Sequence, residues 1–124
     1  MPEQPLADPR EGEVWDVQFS PTMGVEQAGI RPALVLSNDW FNAAENLLFV
    51  AVPITGTDRN IRYQVKIQGK EGGLSEHSVI MCEQIRSMDR RRFLRKRGTV
   101  SGQTLAQVKR IATMFVGETG APKA

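Results

Sequence analysis

The chain has 124 residues, a mass of 13.8 kDa and one cysteine, which limits it to one domain with a modest core and excludes an internal disulfide. With 40% hydrophobic and 24% charged residues it is too apolar to be disordered, and its longest apolar run, 47–54, is far short of the roughly 20 residues a membrane-spanning helix needs. The net charge of +2 hides an asymmetry: residues 1–30 carry six acids and one base, whereas 86–110 carry nine bases and one acid, a split that favours an anionic partner or else a solvated basic helix.

Residues 1–10 contain three prolines and read as a frayed tail, with neither the basic nor the apolar stretch of a secretory leader, so a cytoplasmic protein is expected. At 12–20, GEVWDVQFS places Trp15, Val17 and Phe19 on one side and Asp16 and Gln18 on the other, the period of a half-buried strand. A loop bracketed by Pro21, Gly24 and Gly29 follows. The runs 31–37 and 47–55 are continuously apolar, which predicts strands covered on both faces, with one helical turn between them. Pro53 has no N–H to donate to a ladder, so the second run is expected to meet a sheet edge or a bulge near Ile54 and Thr55.

Tyr63, Val65 and Ile67 alternate with polar residues as another half-buried strand, and 78–82 forms a further one that delivers Glu83, Gln84 and Arg86. The segment 87–97, with Asp89 near its start and cations near its end, is predicted as a short helix stopped by Gly98, followed by a brief strand at 99–100. Ser101 is positioned to cap a last helix over 102–117, whose apolar stripe is Leu105, Val108, Ala112 and Phe115. A single domain over 11–117, with a tail at 118–124, is expected to be an α+β fold built on a small, strongly bent antiparallel sheet or barrel.

One histidine, one cysteine and no clustered carboxylates argue against a zinc or two-metal centre, and the glycines match no nucleotide-binding fingerprint. The thiol of Cys82, in the apolar run SVIMC, is expected to be buried and inert, His77 solvated, and Trp15 in the core. Arginine, glutamate and threonine remain. Arg31 opens an apolar strand immediately before Pro32, which disfavours helical geometry at Arg31, and its guanidinium is a permanently charged planar fork suited to phosphate; the competing reading is a solvated strand-end cation. Arg31, Thr55 and Glu26 suffice for a reaction that needs no metal, cleavage of RNA by its own 2′-hydroxyl: a carboxylate takes the proton, and the cation and the alcohol stabilise the phosphorane-like charge.

The segments GEVWDV, SPTMGVEQAGIRPALVLSND, AVPIT and SVIMCEQIRSMDRRRF, in this order and spacing over roughly residues 11–117, resemble the MazF/PemK (Kid) family of toxin ribonucleases from bacterial toxin–antitoxin systems. The resemblance implies an SH3-like barrel shared with the gyrase-poisoning CcdB toxins, with a C-terminal helix. It implies a homodimer that binds single-stranded RNA, needs no cofactor, and leaves a 2′,3′-cyclic phosphate and a 5′-hydroxyl. A MazE-like antitoxin with an acidic segment is the expected neutralising partner. The family's catalytic arginine falls on Arg31 in GIRP, its hydroxyl residue on Thr55 in PIT, and its acidic loop position on Glu26. Gln27, Asn38, Glu83, Gln84 and Arg86 lie on the matched segments as candidate RNA-binding residues, with capping or solvation as the alternative for each. A gyrase-directed poison or a non-catalytic nucleic-acid module on the same fold is the competing functional reading.

Overall fold

Three strands organise the molecule, β1 (Glu13–Gln18), β2 (Ile30–Val35) and β3 (Leu48–Thr55), paired antiparallel in that order with Trp15 opposite Ala33 and Leu34 opposite Val52. The computed structural model describes residues 7–44 and 47–117. A turn of helix, α1 (Asp39–Asn42), joins β2 to β3, and Asn38 caps it by accepting a 2.9 Å hydrogen bond from Phe41 N. The short strands β4 (Val65–Ile67), β5 (Ser78–Ile80) and β6 (Arg86–Asp89) follow, then β7 (Phe93–Thr99) and the C-terminal helix α2 (Gly102–Phe115). The sheet runs β4-β5-β3-β2-β1-β7, with β6 also on β3, and every pairing is antiparallel. This is the strongly bent antiparallel sheet with one terminal helix that the sequence leads one to expect.

Alternate residues of the three central strands enter two different apolar clusters. Val14, Leu34, Val52 and Ile54 join Val108 and Ala112 of α2 in one, while Trp15, Val17, Phe19, Ala33, Val35 and Phe49 form the other with Met88 and Phe93. Both faces are therefore covered, which explains the unbroken apolar runs. Ser101 caps α2 through Thr104 N as expected, but Phe115 at its end stays 42% exposed, edge-on to Tyr63 at 5.7 Å. Tyr63 itself lies outside β4, so the strand expected there is shorter than its alternation suggests.

The segment 87–97 is not a helix. It holds most of β6, a 3₁₀ turn at Arg90–Arg92, and most of β7. Tertiary pairing decides this: Met88 and Phe93 fill the second cluster, and the basic residues of β7 lie beside the acids of β1. Lys96 pairs with Glu13 at 2.9 Å, and Arg95 and Arg97 reach Asp16 at 3.5 and 3.3 Å. Arg90 bonds Asp8 at 2.8 Å and Lys109 pairs with Glu11. Much of the charge asymmetry along the chain is thus neutralised internally across one seam. Each exposed pair contributes at most about 1 kcal/mol, so the seam matters more for the position of β7 than for stability. Residues 7–10, expected to fray, are also docked: Pro9 is fully buried and Arg10 N donates to Glu13 Oε1. The remainder of that tail and the tail at 118–124 lie outside the described residues.

Candidate active site

β3 changes partner near its end. It pairs with β6 as far as Ala51 opposite Arg86, then with β5 from Ile54 opposite Ile80. Pro53 sits between these two pairings, where its missing N–H disturbs neither ladder, and its carbonyl accepts from Met81 N at 2.9 Å. On the other side of β3 the ladder with β2 stops at Ala33 opposite Pro53. Two residues beyond, Arg31 and Thr55 flank the opening that results.

Both side chains line two adjoining cavities. One, of about 250 Å³, is shared with Gln27, Thr57, Arg59, Gln64, Glu83 and Gln84. The other, of about 170 Å³, is shared with Pro32, Ser75, Glu76, Ser78 and Arg97. The Arg31 guanidinium is exposed and has no hydrogen-bond or ion-pair partner among the described residues, and the same holds for Arg59. Most arginines of the β7 seam are matched to carboxylates, whereas Arg31 and Arg59 at this groove are free to meet an anion. Thr55 Oγ1 accepts from Thr57 N at 3.2 Å, which leaves its hydroxyl proton available to donate into the groove.

Glu26 lies elsewhere. Its Oε1 accepts from Met23 N at 2.6 Å while its own N–H donates to Met23 O, so the carboxylate caps its own loop. It lines a third cavity of about 150 Å³ with Phe19, Gln27, Glu83, Gln84, Ile85 and Arg86, not the space lined by Arg31 and Thr55. Gln27, Glu83 and Gln84 line this cavity and the larger of the other two, and so form the wall between them. Glu83 accepts from Gln64 Nε2 at 2.6 Å. Asn38 is not part of this arrangement: it caps α1 and borders an apolar cavity between α1 and α2.

Sequence reasoning missed Arg59, Thr57, Gln64 and Glu76. The one available signal was the turn GTDRN directly after Thr55, which carries a cation four residues past the hydroxyl. Among the described residues no group of three or more His, Cys, Asp or Glu side chains is placed to hold a metal ion. His77 is exposed and its Nδ1 accepts from Gly69 N at 3.1 Å. Cys82 is buried, and burial together with the neighbouring Glu83 charge pushes its thiol up to about 12, so it stays protonated and unreactive. Trp15 is buried beside Phe93 with the Arg90 guanidinium 5.3 Å from its ring centre, a packing position that offers no face to a ligand.

The family model described as "PemK-like, MazF-like toxin of type II toxin-antitoxin system" matches residues 10–115. Among curated proteins, an "Endoribonuclease MazF" of Staphylococcus epidermidis is 32% identical over 109 residues, spanning 87% of this chain and 91% of its own length. Among solved structures, MazF (Form-I) from Deinococcus radiodurans superposes with a TM-score of 0.80 at 29% identity, covering 90% of this chain and 98% of that one. A MazE-MazF structure (Form-II) from the same organism gives 0.72 at 26%, covering 90% and 97%.

Proposed function

The chain belongs to the PemK-like, MazF-like family of endoribonuclease toxins, and from that membership we propose that the groove between Arg31 and Thr55 cleaves single-stranded RNA by 2′-hydroxyl attack without a metal ion. The observation that carries the reading is a permanently charged guanidinium, without a partner among the described residues, lining the same groove as an alcohol whose proton is free. In the proposed reaction the 2′-oxygen loses its proton to a carboxylate and bonds to phosphorus. The bond to the 5′-oxygen breaks, leaving a 2′,3′-cyclic phosphate and, once that oxygen takes up a proton, a 5′-hydroxyl. Arg31 and Thr55 donate hydrogen bonds to the non-bridging oxygens as negative charge grows on them. Arg31 is not the proton donor, because a guanidinium holds its proton too tightly to give it up in a protein.

Three carboxylates are candidates for the base. Glu26 holds the position implied by the family resemblance, in the adjoining cavity, while Glu83 and Glu76 line the two cavities that contain Arg31 and Thr55. Glu26→Gln, Glu83→Gln and Glu76→Gln, compared one at a time, separate them: the base is the residue whose loss removes the acid limb of the pH–rate profile. Gln27 and Arg86 complete the proposed RNA-binding wall. We further propose a cytoplasmic homodimer neutralised by a MazE-type antitoxin, as the MazE-MazF structure of the D. radiodurans relative suggests. No helix among the described residues is long and apolar enough to cross a membrane.

The test is to map cleavage ends on a long unstructured RNA in excess EDTA. Cuts at a short recurrent motif, with cyclic phosphate and 5′-hydroxyl termini, are expected. RNA retained intact, or association with DNA gyrase in place of cleavage, removes the proposal in favour of a binding or gyrase-directed role.

A further inference from the structure

We propose that Gln84 is a positioning residue that clamps the loop carrying Glu26 and Gln27 onto the wall of the groove, and is not itself a contact to the substrate. Both ends of its carboxamide are committed: Oε1 accepts from Gln27 N at 3.0 Å and Nε2 donates to Val25 O at 3.2 Å. The two backbone groups lie two residues apart on the loop, so one side chain does what a neighbouring strand does in a ladder.

Little else holds this loop. Met23 and Val25 are 82% and 95% exposed, so packing does not anchor them. Among the described residues, the other hydrogen bonds of 22–28 are local: Met23 with Glu26, and Gln27 Nε2 with Ala28 O. The stem is tied separately, by Phe19 N to Gly29 O, by Gly29 N to Ser20 Oγ, and by Arg92 to the carbonyls of Gln18 and Ser20. Gln84, in contrast, stands on a firm base, the 3₁₀ turn Cys82–Gln84, whose first residue is fully buried and whose last N–H bonds Met81 O at 2.9 Å.

The chemistry of the clamp selects its residue. The site needs an acceptor toward an N–H and a donor toward a C=O at the end of a side chain of this length, which a primary amide supplies. A glutamate keeps the first bond and sets a carboxylate against the Val25 carbonyl; a methionine of similar volume makes neither. Since Gln84 lies between the cavity of Glu26 and that of Arg31, releasing it misplaces Gln27 and Glu26 relative to the scissile phosphate. Small errors of position of this kind act on the rate of the bound substrate.

The kinetic part of this inference rests on the endoribonuclease reading, whereas its structural part does not. The experiment compares the full-length wild type with Gln84→Met and Gln84→Glu, measuring hydrogen exchange at the Gln27 amide without RNA, and kcat and KM with RNA. Expected are exchange at Gln27 faster by about tenfold in Gln84→Met and by less in Gln84→Glu, an unchanged melting temperature, and a fall concentrated in kcat with partial recovery in Gln84→Glu. Unchanged exchange with a raised KM makes Gln84 a substrate contact and overturns the proposal, as does faster exchange with both kinetic constants unaltered. A wild type that cuts no RNA removes the endoribonuclease reading, and the exchange comparison then still decides the clamp.

Discussion

Replacing Arg31 with alanine separates catalysis from folding cleanly, because the guanidinium makes no bond inside the protein among the described residues. The residue sits at the exposed start of β2, opposite Val17 of β1, and its backbone pairing survives the change. A surface substitution of this kind shifts stability by no more than about 0.5 kcal/mol, or roughly 2 °C in melting temperature for a chain of this size. The effect on rate is of another order. Removing one preorganised donor from a charge that develops only in the transition state costs about 100- to 1,000-fold in kcat, or about 2.7–4 kcal/mol. Arg31→Lys keeps the charge and loses the planar fork, so it should recover only part of the loss. The assay is single-turnover cleavage of a fluorescent RNA oligonucleotide in EDTA, alongside thermal melting of each variant. An Arg31→Ala protein that melts like the wild type and cuts within about threefold of its rate would refute the role assigned to the guanidinium, since the expected loss is far larger.

Thr55→Val should lower the rate by a similar factor while Thr55→Ser retains most of it, because only the hydroxyl is required; equal activity of the two variants in the same assay would show that the alcohol is idle. Arg59→Ala should weaken RNA binding at every sequence and reduce the slope of log affinity against log salt by about 0.7, read from fluorescence anisotropy titrations at several ionic strengths. Gly73→Ala should destabilise the fold by at least about 2 kcal/mol in urea titrations, since at φ 73° its new Cβ would lie 1.9 Å from the Arg97 carbonyl oxygen. At Glu13, burial raises the carboxyl pKa, but hydrogen bonds from Trp15, Lys96 and the Arg10 N–H outweigh it and hold the group below its usual range. The unfolded chain therefore binds this proton more readily than the folded one, so the stabilisation is present above the ordinary carboxylate pKa and is lost as pH falls through the lowered one. Glu13→Gln should flatten that acid limb in urea midpoints measured against pH.

The elements legible in the sequence are those whose burial follows a local period. β1 and α2 announce themselves through alternation and a helical stripe, and β2 and β3 through unbroken apolar runs that the two-sided core explains. The segment 87–97 misleads because nothing local marks it as strand: its cations find their acids on β1, across a pairing that sequence order does not reveal. The site divides in the same way. Arg31 and Thr55 stand out by chemistry and by family pattern, and the register of β2 on β3 brings them to one opening. Glu26 and Gln84 carry equally good motif positions, yet one caps its own turn and the other holds the backbone of a loop. Backbone partners have no residue identity, so no motif encodes them. Asn38 is the simplest case, a polar residue on a matched segment whose oxygen is taken by the helix it begins.

The seam between β1 and β7 bears on how the toxin comes into being. Val17 meets Phe93 and Glu13 meets Thr99, strands about eighty residues apart in the chain. A polypeptide leaving the ribosome at about 5–20 residues per second exposes Trp15, Val17 and Phe19 for several seconds before the strand that covers them has been made. Contacts so distant in order form slowly and late, so closure of the sheet waits until β7 has been synthesised. Until β7 emerges the nascent chain carries an uncovered apolar strand, and that interval is when a chaperone has most to hold.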